Sequence, residues 1–221
     1  MADRPNIVVL LADQLRPFEL GCHGHPVVKT PNIDRLAAGG VRFEYACTSD
    51  PLCTPARSSL LSGQYARTCT GMLGCVGEPV FRRIHFPDAT LPERLQVAGY
   101  DTVLVGKWHI GPHPRLVGFS DMVFPRVHHL NTNQLYFDAT GRSWIQTGFC
   151  PDFELQTTCN FLRSRADTPD RRPFFRWALN IPCGATIESA YFRLKAYSTS
   201  TANTTMKLWL LDYDSCPSFS T

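Results

Sequence analysis

Asn6-Ile7-Val8-Val9-Leu10-Leu11-Ala12, broken off by Asp13-Gln14, is an uninterrupted apolar run rich in β-branched residues. A strand with one face in water alternates apolar and polar side chains; a strand buried on both faces does not. The run therefore reads as a strand inside a parallel sheet with helices on both sides, so the expected class is α/β. Asp13 and Gln14 stand at its C-terminal edge, where open α/β sheets bind ligands. On position alone the plainer reading of Asp13 is a loop or helix-capping carboxylate.

Downstream, the same grammar repeats. Thr30 followed by Pro31 opens a short helix that Gly39-Gly40 stops, and Val41-Arg42-Phe43-Glu44-Tyr45 alternates like a short strand. Cys53-Thr54-Pro55-Ala56-Arg57 leads into Ser58 to Gly63, a helix whose N-terminus lies beside Cys53. Thr90-Leu91-Pro92 begins another helix that ends at Gly99, and Tyr100 to Val105 is a second apolar strand, closed by Gly106-Lys107-Trp108-His109. From Gly111 to about Gly148 the pattern weakens into Pro-, His- and Asn-rich loop; Asp152 to Arg163 reads as a helix and Ala166 to Pro173 as turns. Beyond Phe175 Ser and Thr become dense, and Ile187 to Tyr197 and Met206 to Tyr213 look like a β-hairpin. A boundary near Arg176 is expected, dividing the chain into 1–175 and 176–221.

With 221 residues, 43% hydrophobic and 19% charged, the chain can bury a core. A net charge of +3 without a concentrated basic patch argues against nucleic acid or an anionic membrane as partner. No run approaches a membrane span and no secretory signal precedes Asp13, so a cytoplasmic location is the expectation. Nine cysteines without a Cys-x-x-Cys pair suit neither a zinc site nor, absent export, a disulfide framework. They read as buried thiols, Cys53 excepted. His23, His25, His113, His128 and His129 have no motif around them and read as loop residues.

Cys53-Thr54-Pro55-Ala56-Arg57, with Gly63 at the end of the following run, resembles the C-x-P-x-R-(x)5-G signature of the type I sulfatases. Gly99-Tyr100-Asp101-Thr102 through Gly106-Lys107-Trp108-His109 is similar to the family's G-Y-x-T-x-x-x-G-K-x-H element. Arg4-Pro5-Asn6-Ile7 through Asp13 looks like its opening strand. The resemblance implies an alkaline-phosphatase-like α/β parallel-sheet sandwich. It further implies that a formylglycine-generating or anaerobic sulfatase-maturating enzyme oxidises Cys53 to formylglycine (3-oxoalanine), whose hydrate attacks the sulfur of a small-molecule or carbohydrate sulfate ester. Cys53, Arg57, Lys107 and His109 are then catalytic, Lys107 also touching the sulfate and His109 the nucleophile's hydroxyl. Asp13, Gln14 and Cys53 become ligands of a Ca²⁺ or Mg²⁺ ion, a hard cation suited to oxygen. Where many members have Asp-Asp, this chain has Asp13-Gln14, as in choline-sulfatase-like and phosphonate-hydrolase-like branches.

The chemistry fits the residue types. A helix N-terminus stabilises an oxyanion and an anionic ester, and Arg57 adds a permanent cation beside it. The resemblance fades at Arg172-Pro173-Phe174-Phe175, and 184–191 resembles the opening of a β-sandwich surface or phage-type module. The sulfatase portion is therefore expected to be truncated and followed by a short β-rich segment, inactive as it stands. The alternatives are a phosphonate or phosphate ester hydrolase of the same superfamily and a non-catalytic chimeric remnant.

Overall fold

The computed structural model describes residues 6–69, 71, 86–126, 130–166, 172–179 and 210–211. The two continuous apolar runs are strands, β1 (Ile7–Ala12) and β2 (Tyr100–Gly106). Between them in sequence come α1 (Pro31–Ala38), α2 (Cys53–Ser62), α3 (Ala66–Cys69) and α4 (Leu91–Val97). After β2 follow β3 (Asp121–Pro125), β4 (Thr132–Asp138), β5 (Ser143–Phe149), α5 (Cys150–Ala166), β6 (Arg172–Leu179) and β7 (Leu210–Leu211). They form a seven-stranded sheet in the order β5-β4-β3-β2-β6-β1-β7. The pairs β7–β1, β1–β6, β6–β2 and β2–β3 are parallel, whereas β3–β4 and β4–β5 are antiparallel. The sheet is thus mixed.

Alternate side chains of β1 and β2 go to opposite faces. On one face Ile7, Val9 and Leu104 meet Leu61 of α2, Leu95 of α4, Trp108, Phe119 and Met122. On the other, Val8, Leu10, Val103 and Val105 meet Leu155, Phe161 and Leu162 of α5. Burial on both faces is why these runs carry no polar alternation. Thr90 caps α4 in a reciprocal box: its hydroxyl accepts from Glu93 N, and the Glu93 carboxylate accepts from Thr90 N at 2.7 Å. Thr30 behaves otherwise, accepting from Gly21 N and donating to Asp34, each at 2.8 Å, which ties a preceding turn to α1.

Gly118 lies in the left-handed region (φ 90°), and a Cβ there would come within 2.3 Å of Glu93 N. Gly118→Ala therefore combines backbone strain with a clash against the first turn of α4, where the backbone cannot swing aside as a side-chain tip could. A loss on the order of 3 kcal/mol is expected, read as a lowered urea midpoint with unchanged slope.

Several expectations are corrected. Val41 to Tyr45 is not a strand: Val41, Phe43 and Tyr45 are 42, 45 and 92% exposed, so the alternation has no sheet to lie on. Within the stretch expected to be loop, β3, β4 and β5 carry the sheet onward, and Tyr136 and Trp144 pack against Phe153 of α5. β6 runs from Arg172 to Leu179 between β1 and β2, across the position near which a boundary was expected, and residues 180–209 and 212–221 lie outside the described residues. Of the expected C-terminal hairpin, only Leu210–Leu211 is described, and it pairs parallel with Leu11–Ala12; the rest lies outside the described residues. No described helix is long and apolar enough to cross a membrane.

Candidate active site

Strand register brings the first two motif ends together. Ala12 pairs with Leu179, and Gly106 pairs with Ala178, so β1 and β2 end level at the same edge with β6 between them. Two inter-strand spacings are about 9–10 Å, a gap that a long lysine side chain narrows. Lys107 Nζ donates to Asp13 Oδ2 and also lies 3.1 Å from Cys53 Sγ. One ammonium thus links the end of β1 to the start of α2.

α2 enters from the third side. Asp50 Oδ1 accepts from Leu52 N at 2.9 Å and turns the chain, and Cys53 is the first residue of the helix. Leu52 at the cap supplies no side-chain acceptor, and no acidic residue lies in the first turn. The positive end of the helix is therefore directed at the site with no local carboxylate to quench it. Arg57, one turn on, donates to Lys107 O at 3.1 Å and to Asp13 Oδ2 at 3.4 Å. Cys53, Arg57 and Lys107 are at most 2% exposed and Asp13 is 6% exposed.

Two buried cations therefore share one carboxylate. Burial and the Arg57 guanidinium pull the Lys107 ammonium down, but the charges of Asp13 and Cys53 and the hydrogen bond to Asp13 outweigh them and hold it above its ordinary value. Lys107 is charged at neutral pH, and Lys107 and Arg57 against the one carboxylate of Asp13 leave surplus positive charge wherever residue 53 is itself uncharged. That surplus suits an anionic ester.

The remaining expected residues sit at the rim. His109 follows Lys107 on the same loop, half-buried, with its backbone in the left-handed region (φ 49°). Gln14 is exposed, also at positive φ (56°). Thr54 was not singled out by sequence, yet it is fully buried and its hydroxyl donates to His109 O at 3.0 Å. Its only sequence signal is its place inside the Cys53–Arg57 motif. A cavity of about 650 Å³ lies behind α2, lined by Ala56, Ser59, Leu60 and Gly63 together with the 42–49 loop. None of Asp13, Cys53, Arg57, Lys107 or His109 lines it.

For a divalent cation the described residues make an incomplete set. Asp13 Oδ2 already receives Lys107 and Arg57, and among the described residues no three His, Cys, Asp or Glu side chains converge as a metal cluster. Ca²⁺ takes six to eight oxygens. Asp13, Gln14 and an oxygen at position 53 fall short of that number.

The chain is 44% identical over 115 residues to human arylsulfatase A, covering 52% of this chain and 22% of that protein. It is 39% identical over 116 residues to human steryl-sulfatase, covering 50% and 20%. It is 37% identical over 118 residues to rat N-acetylgalactosamine-6-sulfatase, covering 50% and 22%. The chain thus spans about a fifth of the length of these curated relatives. Among solved structures, BT4656 in complex with its substrate D-glucosamine-2-N,6-O-disulfate superposes with a TM-score of 0.67 at 26% identity, over 79% of this chain and 34% of that one. Ps i-CgsB shares the fold, with a TM-score of 0.70 at 24% identity over 81% of this chain and 46% of its own. The architecture is the alkaline-phosphatase-like one of these neighbours, and the sulfatase family profile matches residues 5–179. This chain belongs to the sulfatase family.

Proposed function

We propose that this chain carries the nucleophile side of a sulfuric ester hydrolase, with Cys53 converted to formylglycine. The observation that carries the reading is the buried Lys107 Nζ, 3.1 Å from Cys53 Sγ at the first turn of α2 and beside Arg57. Cys53 Sγ marks the place of the oxygen that conversion sets on the same Cβ. A hydrated aldehyde there offers two hydroxyls. One oxygen bonds to the ester sulfur while the sulfur–alkoxide bond breaks and the alcohol leaves with a proton. The second hydroxyl then gives up its proton, the carbonyl re-forms, and sulfate departs.

In this scheme Lys107 and the open end of α2 bind the sulfate oxygens, and Arg57 holds the nucleophile. His109 moves the proton at the leaving oxygen or the second hydroxyl. Asp13, Gln14 and the converted residue 53 are the residues that would offer oxygens to a Ca²⁺ or Mg²⁺ ion, a set that further ligands would have to complete. When bound, such an ion adds positive charge at the developing oxyanion. The substrate class is a small-molecule or carbohydrate sulfate ester, consistent with the sulfated aminosugar bound by the neighbour BT4656.

The test is co-expression with a formylglycine-generating or anaerobic sulfatase-maturating enzyme, followed by mass spectrometry of the Cys53 peptide. Aryl sulfate and aryl phosphonate are then assayed in parallel with added Ca²⁺ or Mg²⁺. Conversion with preferential sulfate release supports the reading. Preferential phosphonate cleavage would reassign the substrate, and an unconverted Cys53 would remove the nucleophile.

A further inference from the structure

We propose that Thr54 is a positioning residue, whose hydroxyl fixes the Lys107–His109 loop against the start of α2 and so sets where both side chains meet residue 53. The inference rests on the sulfatase reading for its catalytic meaning, but its structural content stands on four observations. First, a threonine in an opening helical turn ordinarily spends its hydroxyl on nearby backbone. Thr54 instead donates to a carbonyl 55 positions away, His109 O at 3.0 Å. Second, Thr54 is 0% exposed, so the bond is shielded from competing water.

Third, the receiving loop needs an external tie. Gly106 (φ 89°) and His109 (φ 49°) both adopt left-handed backbone, and for His109 this is a sparsely populated state. Holding His109 in that state requires contacts from its surroundings, and the bond from Thr54 to its carbonyl is one of them. Fourth, the tie belongs to a small lattice. Ser58 Oγ donates to Thr54 O at 2.7 Å, and Arg57 Nη1 donates to Lys107 O at 3.1 Å. The helix that presents the nucleophile thereby holds both ends of the Lys107–His109 segment. Arg57 is committed to the ion cluster as well as to Lys107 O, whereas the Thr54 hydroxyl, among the described residues, bonds to His109 O alone.

The experiment compares the full chain with Thr54→Val, Thr54→Ala and Thr54→Ser by amide hydrogen exchange. The 106–110 segment is read relative to β3 as internal reference. Loss of one buried hydrogen bond is expected to speed exchange of that segment about five- to tenfold in Thr54→Val and Thr54→Ala, with β3 unchanged. Thr54→Ser should stay within about twofold of the parent, because it keeps the hydroxyl. Reading both Val and Ala means that the result does not depend on either variant folding. In matured protein the same variants should lower kcat with little change in KM, as expected when a bound substrate meets misplaced groups. Exchange of 106–110 that is unchanged in Val and Ala, or equally fast in Ser, overturns the proposal. The exchange comparison needs no conversion at residue 53. Failure of the sulfatase reading would therefore appear separately, as an unconverted Cys53 peptide.

Discussion

Cys53→Ala leaves the chain folded and eliminates aldehyde labelling after co-expression with a maturating enzyme. The side chain is 2% exposed and starts α2, so its loss removes one buried sulfur at a cost of about 1 kcal/mol or less, partly offset by alanine's helix propensity. The chemical consequence is far larger, because no other residue can supply the carbonyl. The other cysteines lack the Pro55 and Arg57 spacing that marks the motif. Labelling with a hydroxylamine probe, alongside far-ultraviolet circular dichroism, separates the two effects. A folded, unlabelled variant beside a labelled parent is the expected result. Equal labelling of Cys53→Ala would place the aldehyde elsewhere and withdraw residue 53 from the mechanism. Where the matured protein turns over an aryl sulfate, the same substitution should reduce the rate to background, since general acids and cations without a nucleophile have nothing to transfer sulfate to.

Legibility in the sequence followed the reach of the interactions. β1 and β2 were readable because burial on both faces imposes an unbroken apolar run, and α4 because its Thr90–Glu93 box is local. The β4–β5 hairpin was readable in principle. Asp138 to Arg142 has turn chemistry, with Asp138 Oδ1 accepting from the Thr140 and Arg142 amides, but the flanking strands carry buried polar residues such as Gln134 that mask the alternation. β6 was not read as a strand, because its place between β1 and β2 is a property of sheet order, which no window of neighbouring residues reports. The site divides in the same way. Cys53, Arg57, Lys107 and Asp13 were legible as types at motif spacings, but not the reach of one lysine across β6 to the carboxylate on β1's end. The tie from Thr54 to His109 was invisible for the same reason, since its partners are 55 positions apart.

Asp13→Ala should be among the most destabilising single substitutions in the chain. Its carboxylate neutralises Lys107 and Arg57, which are 2% and 0% exposed and so have no water to turn to. Removing one partner of a buried ion pair strands the other, at a cost of about 3–5 kcal/mol. Here two cations are stranded beside each other and beside the positive end of α2. Typical domain stability is about 5–15 kcal/mol, so the loss takes a large share of it. Asp13→Asn keeps the shape and a carbonyl acceptor but not the charge, and should fall between parent and alanine variant. The ordering has a further check. With the carboxylate gone, burial and Arg57, the two largest influences on Lys107, lose their main counterweight, so the ammonium itself becomes the liability. Adding Lys107→Met to Asp13→Asn should therefore recover part of the lost stability, a non-additivity that a double-mutant cycle in urea measures directly. If Asp13→Ala unfolds within about 1 kcal/mol of the parent, or the double variant simply sums its parts, the three groups do not form one coupled cluster. The surplus charge assigned to the site would then have to come from elsewhere.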